Sequence, residues 1–330
     1  MQLNDFLAEW HNDSDTINVQ TSGSTGTPKK MSVEKQRMVA SANMTCDFLK
    51  LRTSDKALLC MPLDYIAGKM MVVRSIVRGM KLISVPPSSH PLKGLTETPD
   101  FAAMVPMQVK ATLEDETERE IFSKIRNVII GGGSIDSVLE SQLKTMPNAV
   151  WSTYGMTETL SHIALRRING ENSTLWYTPL PGIDISVSSD NTLIVNAPQL
   201  CKETLHTNDI IETNEKGQFR IIGRTDNVIN SGGVKIQAEE VERWIENHCD
   251  SHIASKIMIT KCPDSKYGEI VAMLVENTLT PEQQAELNKA ITTLPRYWKP
   301  RKIVETDTLP RTETGKPDRA TARKTLSYHC

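Results

Sequence analysis

Thr21-Ser22-Gly23-Ser24-Thr25-Gly26-Thr27-Pro28-Lys29-Lys30 packs five hydroxyl side chains, two glycines and two lysines into ten residues, just ahead of a helix-compatible segment. Glycines let backbone N–H groups approach a polyanion, hydroxyls add donors, and lysines add positive charge. The stretch is not a Walker A loop. Past Gly23 and four intervening residues stands Pro28, and no Gly-Lys-Ser/Thr follows. A flexible polar connector is the plain alternative, but the hydroxyl density and paired lysines favour a phosphate cradle.

The chain around this loop has 330 residues, enough for two or three domains. Its formal net charge of −2 argues against bulk-charge attraction to nucleic acid or a membrane surface. No apolar run approaches the roughly 20 residues that span a bilayer. Met1 to Glu9 carries Asp5 and Glu9 rather than a basic region and an apolar block, so no signal peptide is visible. The six cysteines show no CxxC spacing and read as reduced thiols of a cytoplasmic protein, without a zinc site.

Past the loop, Met38, Ala42, Cys46 and Leu49 recur at three- and four-residue intervals and predict a helix over Val33–Leu49. Ala57–Met61 reads as a buried strand, Met70–Val77 as a helix, and Lys81–Val85 as the next strand. The proline-rich residues 86–100 read as an ordered loop, and the acidic run Glu114–Glu120 as a solvated helix face. Asn127–Ile130 is a strand entering Gly131-Gly132-Gly133-Ser134, followed by a helix over Asp136–Lys144 and a strand at Ala149–Ser152. Alternating strand and helix predict a parallel sheet with functional loops at the strand C-termini. From about residue 171, short alternating strands (Ile183–Val187, Leu193–Asn196, Phe219–Ile222) predict a small antiparallel unit. Beyond Gly223-Arg224-Thr225-Asp226-Asn227, a helix (Ala238–Asn247), strands (Ile253–Ile259, Ile270–Val275), a helix (Glu282–Thr292) and Lys302–Val304 predict a separate α+β domain.

Several residues carry chemistry. Tyr154-Gly155-Met156-Thr157-Glu158-Thr159 follows a strand, where a hydroxyl beside a carboxylate suits an ATP–Mg²⁺ site; a plain capped helix start reads as well. Asp209 and Arg224 suit a ribose, or a surface ion pair. Lys316 ends a Thr-Gly-Lys loop and, alone, is an ordinary surface lysine.

Taken together and in order, these motifs resemble the adenylate-forming superfamily of acyl-CoA synthetases, peptide-synthetase adenylation domains and firefly luciferase. Thr21, Ser22, Gly23, Ser24, Thr25, Gly26, Thr27, Pro28 and Lys29 match that family's phosphate loop, and Tyr154-Gly155-Met156-Thr157-Glu158 its ATP- and Mg²⁺-serving motif. Asp209 stands at the ribose aspartate, and Gly223-Arg224-Thr225-Asp226 at the motif with the ribose-contacting arginine and the hinge. Ser231-Gly232-Gly233-Val234-Lys235 matches the loop lining the pantetheine tunnel, and Pro310–Lys316 the motif with the catalytic lysine. Three features depart from the family. Its members carry a longer segment before the phosphate loop, Tyr65 replaces the gate histidine in Pro62-Leu63-Asp64-Tyr65-Ile66-Ala67-Gly68, and the hinge pair is Asp226-Asn227.

The resemblance implies an α/β fold. It consists of an N-terminally truncated large domain over 1–224 (a parallel sheet with helices and a small antiparallel β unit) and a mobile α+β domain over 225–330. It implies a two-step acid–thiol ligase in which a carboxylate attacks the ATP α-phosphate and the CoA thiol then displaces AMP. Lys316, Thr157 and Glu158 are then catalytic, with Glu158 also the Mg²⁺ ligand. The cofactors and partners implied are ATP, Mg²⁺, coenzyme A and a small carboxylic acid, with no nucleic acid and no membrane insertion; a homo-oligomer is compatible with the chain. Tyr65, Lys69, Arg74, Gly132, Gly133 and His162 are the expected acid-pocket residues. Lys69 and Arg74 lie in the apolar stretch Met70-Met71-Val72-Val73, so a cation facing the pocket points to a second substrate carboxylate, while an amphipathic surface helix is the alternative. Within the superfamily, the short length and the Pro62–Lys69 stretch most resemble bacterial o-succinylbenzoate–CoA ligases of menaquinone biosynthesis. Another aryl- or acyl-CoA ligase, a carrier-protein-loading enzyme and a nucleotide-binding pseudoenzyme are the competing readings.

Overall fold

A computed structural model describes residues 1–20, 30–312 and 317–327. The chain opens with α1 (Leu3–His11), then an antiparallel ribbon of β1 (Thr16–Gln20) and β2 (Lys30–Glu34), in which Ile17 pairs with Val33 and both are buried. Next come α2 (Lys35–Phe48), β3 (Lys56–Leu59), α3 (Ile66–Arg78), β4 (Lys81–Ser84), β5 (Phe101–Met104), α4 (Pro106–Glu114) and α5 (Glu116–Lys124). They are followed by β6 (Asn127–Ile130), α6 (Ser137–Lys144), β7 (Ala149–Gly155), β8 (His162–Arg167) and the short β9 (Thr178–Pro179).

Seven of these strands form one sheet in the order β4-β3-β5-β6-β7-β8-β9. The first five run parallel, and β8 and β9 are antiparallel additions. Both faces are covered, as the side-chain alternation of a strand requires. Leu59, Ala103 and Ile129 enter the core beneath α2 and α3, while Leu58, Met104 and Ile130 enter the core with Val109, Phe122 and Leu139.

An antiparallel sheet follows, of β10 (Asp184–Val187), β11 (Thr192–Asn196), β12 (Leu205–Thr213) and β13 (Phe219–Arg224). The last third holds β14 (Val228–Ser231), β15 (Val234–Gln237), α7 (Ala238–Glu246), α8 (Ser251–Ala254), β16 (Ile257–Asp264), β17 (Gly268–Glu276), α9 (Pro281–Thr293), β18 (Lys302–Thr306) and α10 (Arg319–Ser327). Its sheet runs β15-β14-β17-β16, with β18 parallel to β17. Val241, Ile245 and Leu287 from α7 and α9 pack with Ile259 and Met273, and Ala322 and Leu326 from α10 pack with Met258 and Leu274 on the opposite face.

Four local expectations are corrected. Val33 belongs to β2, because it pairs with Ile17 before the helix begins. Residues 253–254 finish α8, where Asp250 accepts the His252 N–H as a cap, and the strand starts only at Ile257. The helix predicted over Met70–Val77 begins four residues earlier, at Ile66. The acidic run is not a uniform solvated face: Asp115 caps α5, and Glu118 is 1% exposed. One Glu118 oxygen accepts the Leu92 N–H at 3.1 Å and the other lies 2.7 Å from His90 Nδ1. With Gln108, which donates to the Cys60 and Ser88 carbonyls, Glu118 staples residues 85–95 to the sheet.

Glu118→Ala leaves the Leu92 amide buried without an acceptor. The expected loss is about 2 kcal/mol, read as a lower urea midpoint at unchanged m-value; an unchanged midpoint contradicts the staple.

Candidate active site

The candidate site is organised by the reversal between β7 and β8. A Cβ at Gly155 would stand 2.4 Å from the Ser161 carbonyl oxygen and 2.5 Å from the His162 Cα, so only glycine lets the chain fold back this closely. Residues Thr157–Thr159 form a single 3₁₀ turn. The Thr159 hydroxyl, buried inside it, accepts the Met156 N–H at 3.1 Å and lies 2.8 Å from the Ser161 carbonyl oxygen. Leu160 then takes a left-handed conformation, φ +64°, and delivers the chain to β8. Glu158 is left exposed at the C-terminal end of the parallel strands, and no ion pair holds it among the described residues. Gly131 borders the same edge, where a Cβ would meet Thr153 Oγ1 at 2.4 Å. Gly132 follows with φ +78° beside Val105.

Beneath this turn lies a buried cation. Arg74 of α3 is 2% exposed and donates from Nη2 to Ser161 Oγ at 2.6 Å. Its Nε–H has no hydrogen-bond partner, and no carboxylate lies within ion-pair distance among the described residues. Burial pulls the guanidinium down to a pKa of about 10, still charged at neutral pH. His162 is also buried. Its Nδ1 is 3.3 Å from Ser161 Oγ and its Nε2 is 3.0 Å from Thr45 Oγ1 of α2. Burial, reinforced by the Arg74 charge, holds His162 well below the ordinary histidine range, so the ring is neutral.

A second cluster joins the seven-stranded sheet to the four-stranded antiparallel sheet. The β12–β13 register sets Asp209 opposite Arg224, and Arg224 Nη1 donates to Asp209 at 2.8 Å. Tyr154 reaches the other Asp209 oxygen at 2.5 Å. Burial and the adjacent carboxylate push the Tyr154 phenol up, so it stays protonated and donates. Arg224 Nη2 also bonds Asp226 at 2.8 Å, and this contact keeps the Asp226 carboxyl below its usual range. Asn208 Nδ2 lies 3.3 Å from both Asp226 oxygens.

The chain crosses here into the last third. A Cβ at Gly223 would meet Glu239 at 2.7 Å and Gln237 at 2.8 Å, so β13 runs directly against the start of α7. Asn227 donates to Glu239 at 2.5 Å. Gly232 and Gly233, with φ of +60° and +87°, make the two-residue turn joining β14 and β15. Both positive angles belong to a primed hairpin turn, which glycine adopts without steric cost.

The family model described as AMP-binding enzyme matches residues 7–199, more than half of the chain. The chain belongs to the AMP-binding enzyme family. A 2-succinylbenzoate–CoA ligase of Bacillus thuringiensis subsp. konkukian (strain 97-27) is 25% identical over 327 residues, covering 90% of this chain and 67% of that protein. An acyl-CoA synthetase (AMP-forming)/AMP-acid ligase II-like protein from Dyadobacter fermentans DSM 18053 is 33% identical, with a TM-score of 0.66 over 98% of this chain and 93% of that one. The o-succinylbenzoate coenzyme A synthetase (MenE) of Bacillus subtilis, solved with ATP and magnesium ion, shares the fold at a TM-score of 0.71 and 21% identity, covering 92% of this chain and 68% of its own. The mixed α/β architecture is therefore that of AMP-binding enzymes.

Of the residues singled out from the sequence, Thr157, Glu158 and His162 share the reversal after β7, whose Ser161 meets Arg74, while Tyr154 meets Asp209, which Arg224 links to Asp226. Thr21 to Lys29 and Lys316 lie outside the described residues. Tyr65 is half-exposed at the start of α3. Two pocket expectations are corrected. Lys69 is buried, with its ammonium 3.0 Å from the Asn18 carbonyl oxygen, 3.5 Å from Glu9 and 5.3 Å from the Phe6 ring centroid. It faces α1 and β1, away from Arg74, because five residues of helix turn a side chain by about 140°. His162 does not present a free nitrogen to substrate, since Ser161 and Thr45 take up both. Sequence reasoning missed Ser161, a small hydroxyl inside the motif loop, and Thr45, which is 117 residues from its partner.

Gly155→Ala cannot be accommodated without displacing backbone, and a loss of at least about 2 kcal/mol is expected, measured by chemical denaturation. Acid sensitivity follows from His162. Its folded pKa is depressed, so below about pH 6.5 the unfolded chain binds a proton that the folded chain refuses. Stability therefore falls as pH drops through that value, by up to about 1.4 kcal/mol per unit. His162→Gln flattens this component in urea titrations from pH 7.5 to 5.5; an unaltered slope removes the assignment.

Proposed function

We propose that the protein is an ATP-dependent acid–CoA ligase acting through an acyl-adenylate, with o-succinylbenzoate as its acid. The single observation that carries the acid is the buried Arg74 guanidinium, which meets Ser161 and no carboxylate among the described residues. A buried charge without a counter-ion is costly, and a ligand carboxylate resolves it. Curated relatives named 2-succinylbenzoate–CoA ligase support the same reading. This diacid offers one carboxylate for activation and a second for Arg74.

In the first half-reaction a carboxylate oxygen attacks the ATP α-phosphate, and pyrophosphate leaves. Two anions meet, so catalysis rests on positioning and on positive charge around the phosphates. Thr21 to Lys29 is assigned to the β- and γ-phosphates, and Lys316 and the Thr157 hydroxyl to the α-phosphate. The ribose falls to Asp209 and Arg224, whose mutual ion pair and Tyr154 bond hold both in place. Glu158 fits Mg²⁺: it is exposed and without an ion pair among the described residues, and Mg²⁺ is commonly bound by one or two carboxylates plus substrate phosphates and water. When bound, the ion neutralises phosphate charge. In the second half-reaction the CoA thiol attacks the acyl carbonyl and AMP leaves. Gly232-Gly233 lacks side chains and admits the pantetheine arm. Between the two half-reactions, once pyrophosphate has left, residues 225–330 swivel about Asp226, exchanging Lys316 for that turn.

With ATP, Mg²⁺ and CoA, o-succinylbenzoate is expected to release pyrophosphate faster than benzoate or any fatty acid; a faster monoacid removes the assignment. Lys316→Ala abolishes adenylation while leaving thioester formation from supplied acyl-AMP largely intact. Equal loss of both half-reactions contradicts the swivel.

A further inference from the structure

Four hydrogen bonds in the candidate site have only one consistent direction. The Thr45 hydroxyl carries a single proton and donates it to the Ser41 carbonyl oxygen one helical turn back, at 3.1 Å. Toward His162 Nε2, at 3.0 Å, Thr45 Oγ1 therefore accepts, and Nε2 carries the imidazole proton. A neutral ring with its proton on Nε2 has a bare Nδ1, which accepts from Ser161 Oγ at 3.3 Å. A guanidinium has no lone pair to offer, so at 2.6 Å Arg74 Nη2 can only donate to Ser161 Oγ. The two ends of the chain, a cation and a helix carbonyl, fix the direction of everything between them. A second proton on His162 would turn Nδ1–H against Ser161 and set an imidazolium beside a buried guanidinium.

We propose that Ser161 and His162 are positioning residues that aim Arg74, and through it set selectivity for the substrate's second carboxylate. Ser161, oriented by His162, takes one proton of the Arg74 fork and leaves the buried Nε–H, unpartnered among the described residues, for the ligand. Ser161 belongs to the turn that carries Thr157 and Glu158, so the anchor for the distal end of the acid is fastened to the segment assigned to ATP and metal. Thr45 ties the same chain to α2, which makes the setting rigid from both sides. The proposal rests on Arg74 being the carboxylate anchor, and its test separates the two ideas.

The test is steady-state pyrophosphate release by the full-length enzyme with two acids. One is o-succinylbenzoate, the other its monoacid analogue that keeps the activated carboxylate and lacks the second. Ser161→Ala is expected to raise KM for the diacid about tenfold, with kcat within about threefold, unchanged KM for ATP and little effect on the monoacid. Ser161→Thr, which keeps a hydroxyl, restores the preference. His162→Leu repeats the Ser161→Ala pattern, while His162→Gln, which can still donate to Thr45 and accept from Ser161, retains most of the selectivity. If the wild type prefers the diacid, Arg74→Lys loses that preference and Ser161→Ala keeps it, the positioning role is overturned and the anchor stands. If Ser161→Ala depresses both acids equally, the role is structural only and the proposal fails. A wild type indifferent to the second carboxylate removes the anchor and the relay together.

Discussion

The distance between position 155 and the Ser161–His162 backbone governs the site. Any side chain there would overlap the returning strand, so the reversal after β7 exists only because the residue is glycine. That reversal converts the edge of a parallel sheet into an antiparallel pair and compresses the functional groups into one turn. Thr157 and Glu158 stay at the solvent side, while Ser161 and His162 are drawn beneath, onto α2 and α3. A longer or looser connection would carry the same residues without bringing the Arg74 guanidinium to them.

Helix α3 holds two buried cations with opposite fates. Lys69 is satisfied by Asn18 and Glu9 and faces the Phe6 ring, which joins α1 and the first ribbon to the sheet. Among the described residues Arg74 has a single hydroxyl acceptor, and its neighbouring histidine is kept neutral. A guanidinium buried this way costs stability unless it finds an anion, and groups left in that condition are commonly tuned for a ligand. The contrast between the two side chains, not the presence of positive charge, points to the substrate end of the site.

Much of this was legible in the sequence. Strand and helix alternation gave the parallel sheet, and the Tyr154–Thr159 motif lies at a strand end as expected. Asp209 and Arg224 are fifteen residues apart and face each other because a hairpin brings them into register. Other features had no local signal. The orientation of Lys69 depends on Glu9 of α1 and Asn18 of β1, partners 60 and 51 residues away, and Glu118 looked like one more acidic residue in a solvated run. Its burial is decided by the Leu92 amide, a partner 26 residues away. The Thr45–His162 contact spans 117 residues and involves a hydroxyl that helix periodicity alone assigns to packing.

The central claim, that Arg74 receives a second carboxylate, is tested most directly by a binding cycle. Dissociation constants are measured for a non-hydrolysable acyl-adenylate analogue with and without that carboxylate, on the wild type and on Arg74→Gln. The account predicts a coupling of about 1.5–3 kcal/mol between the guanidinium and the ligand carboxylate. Additive losses, with no coupling beyond about 0.5 kcal/mol, would contradict it.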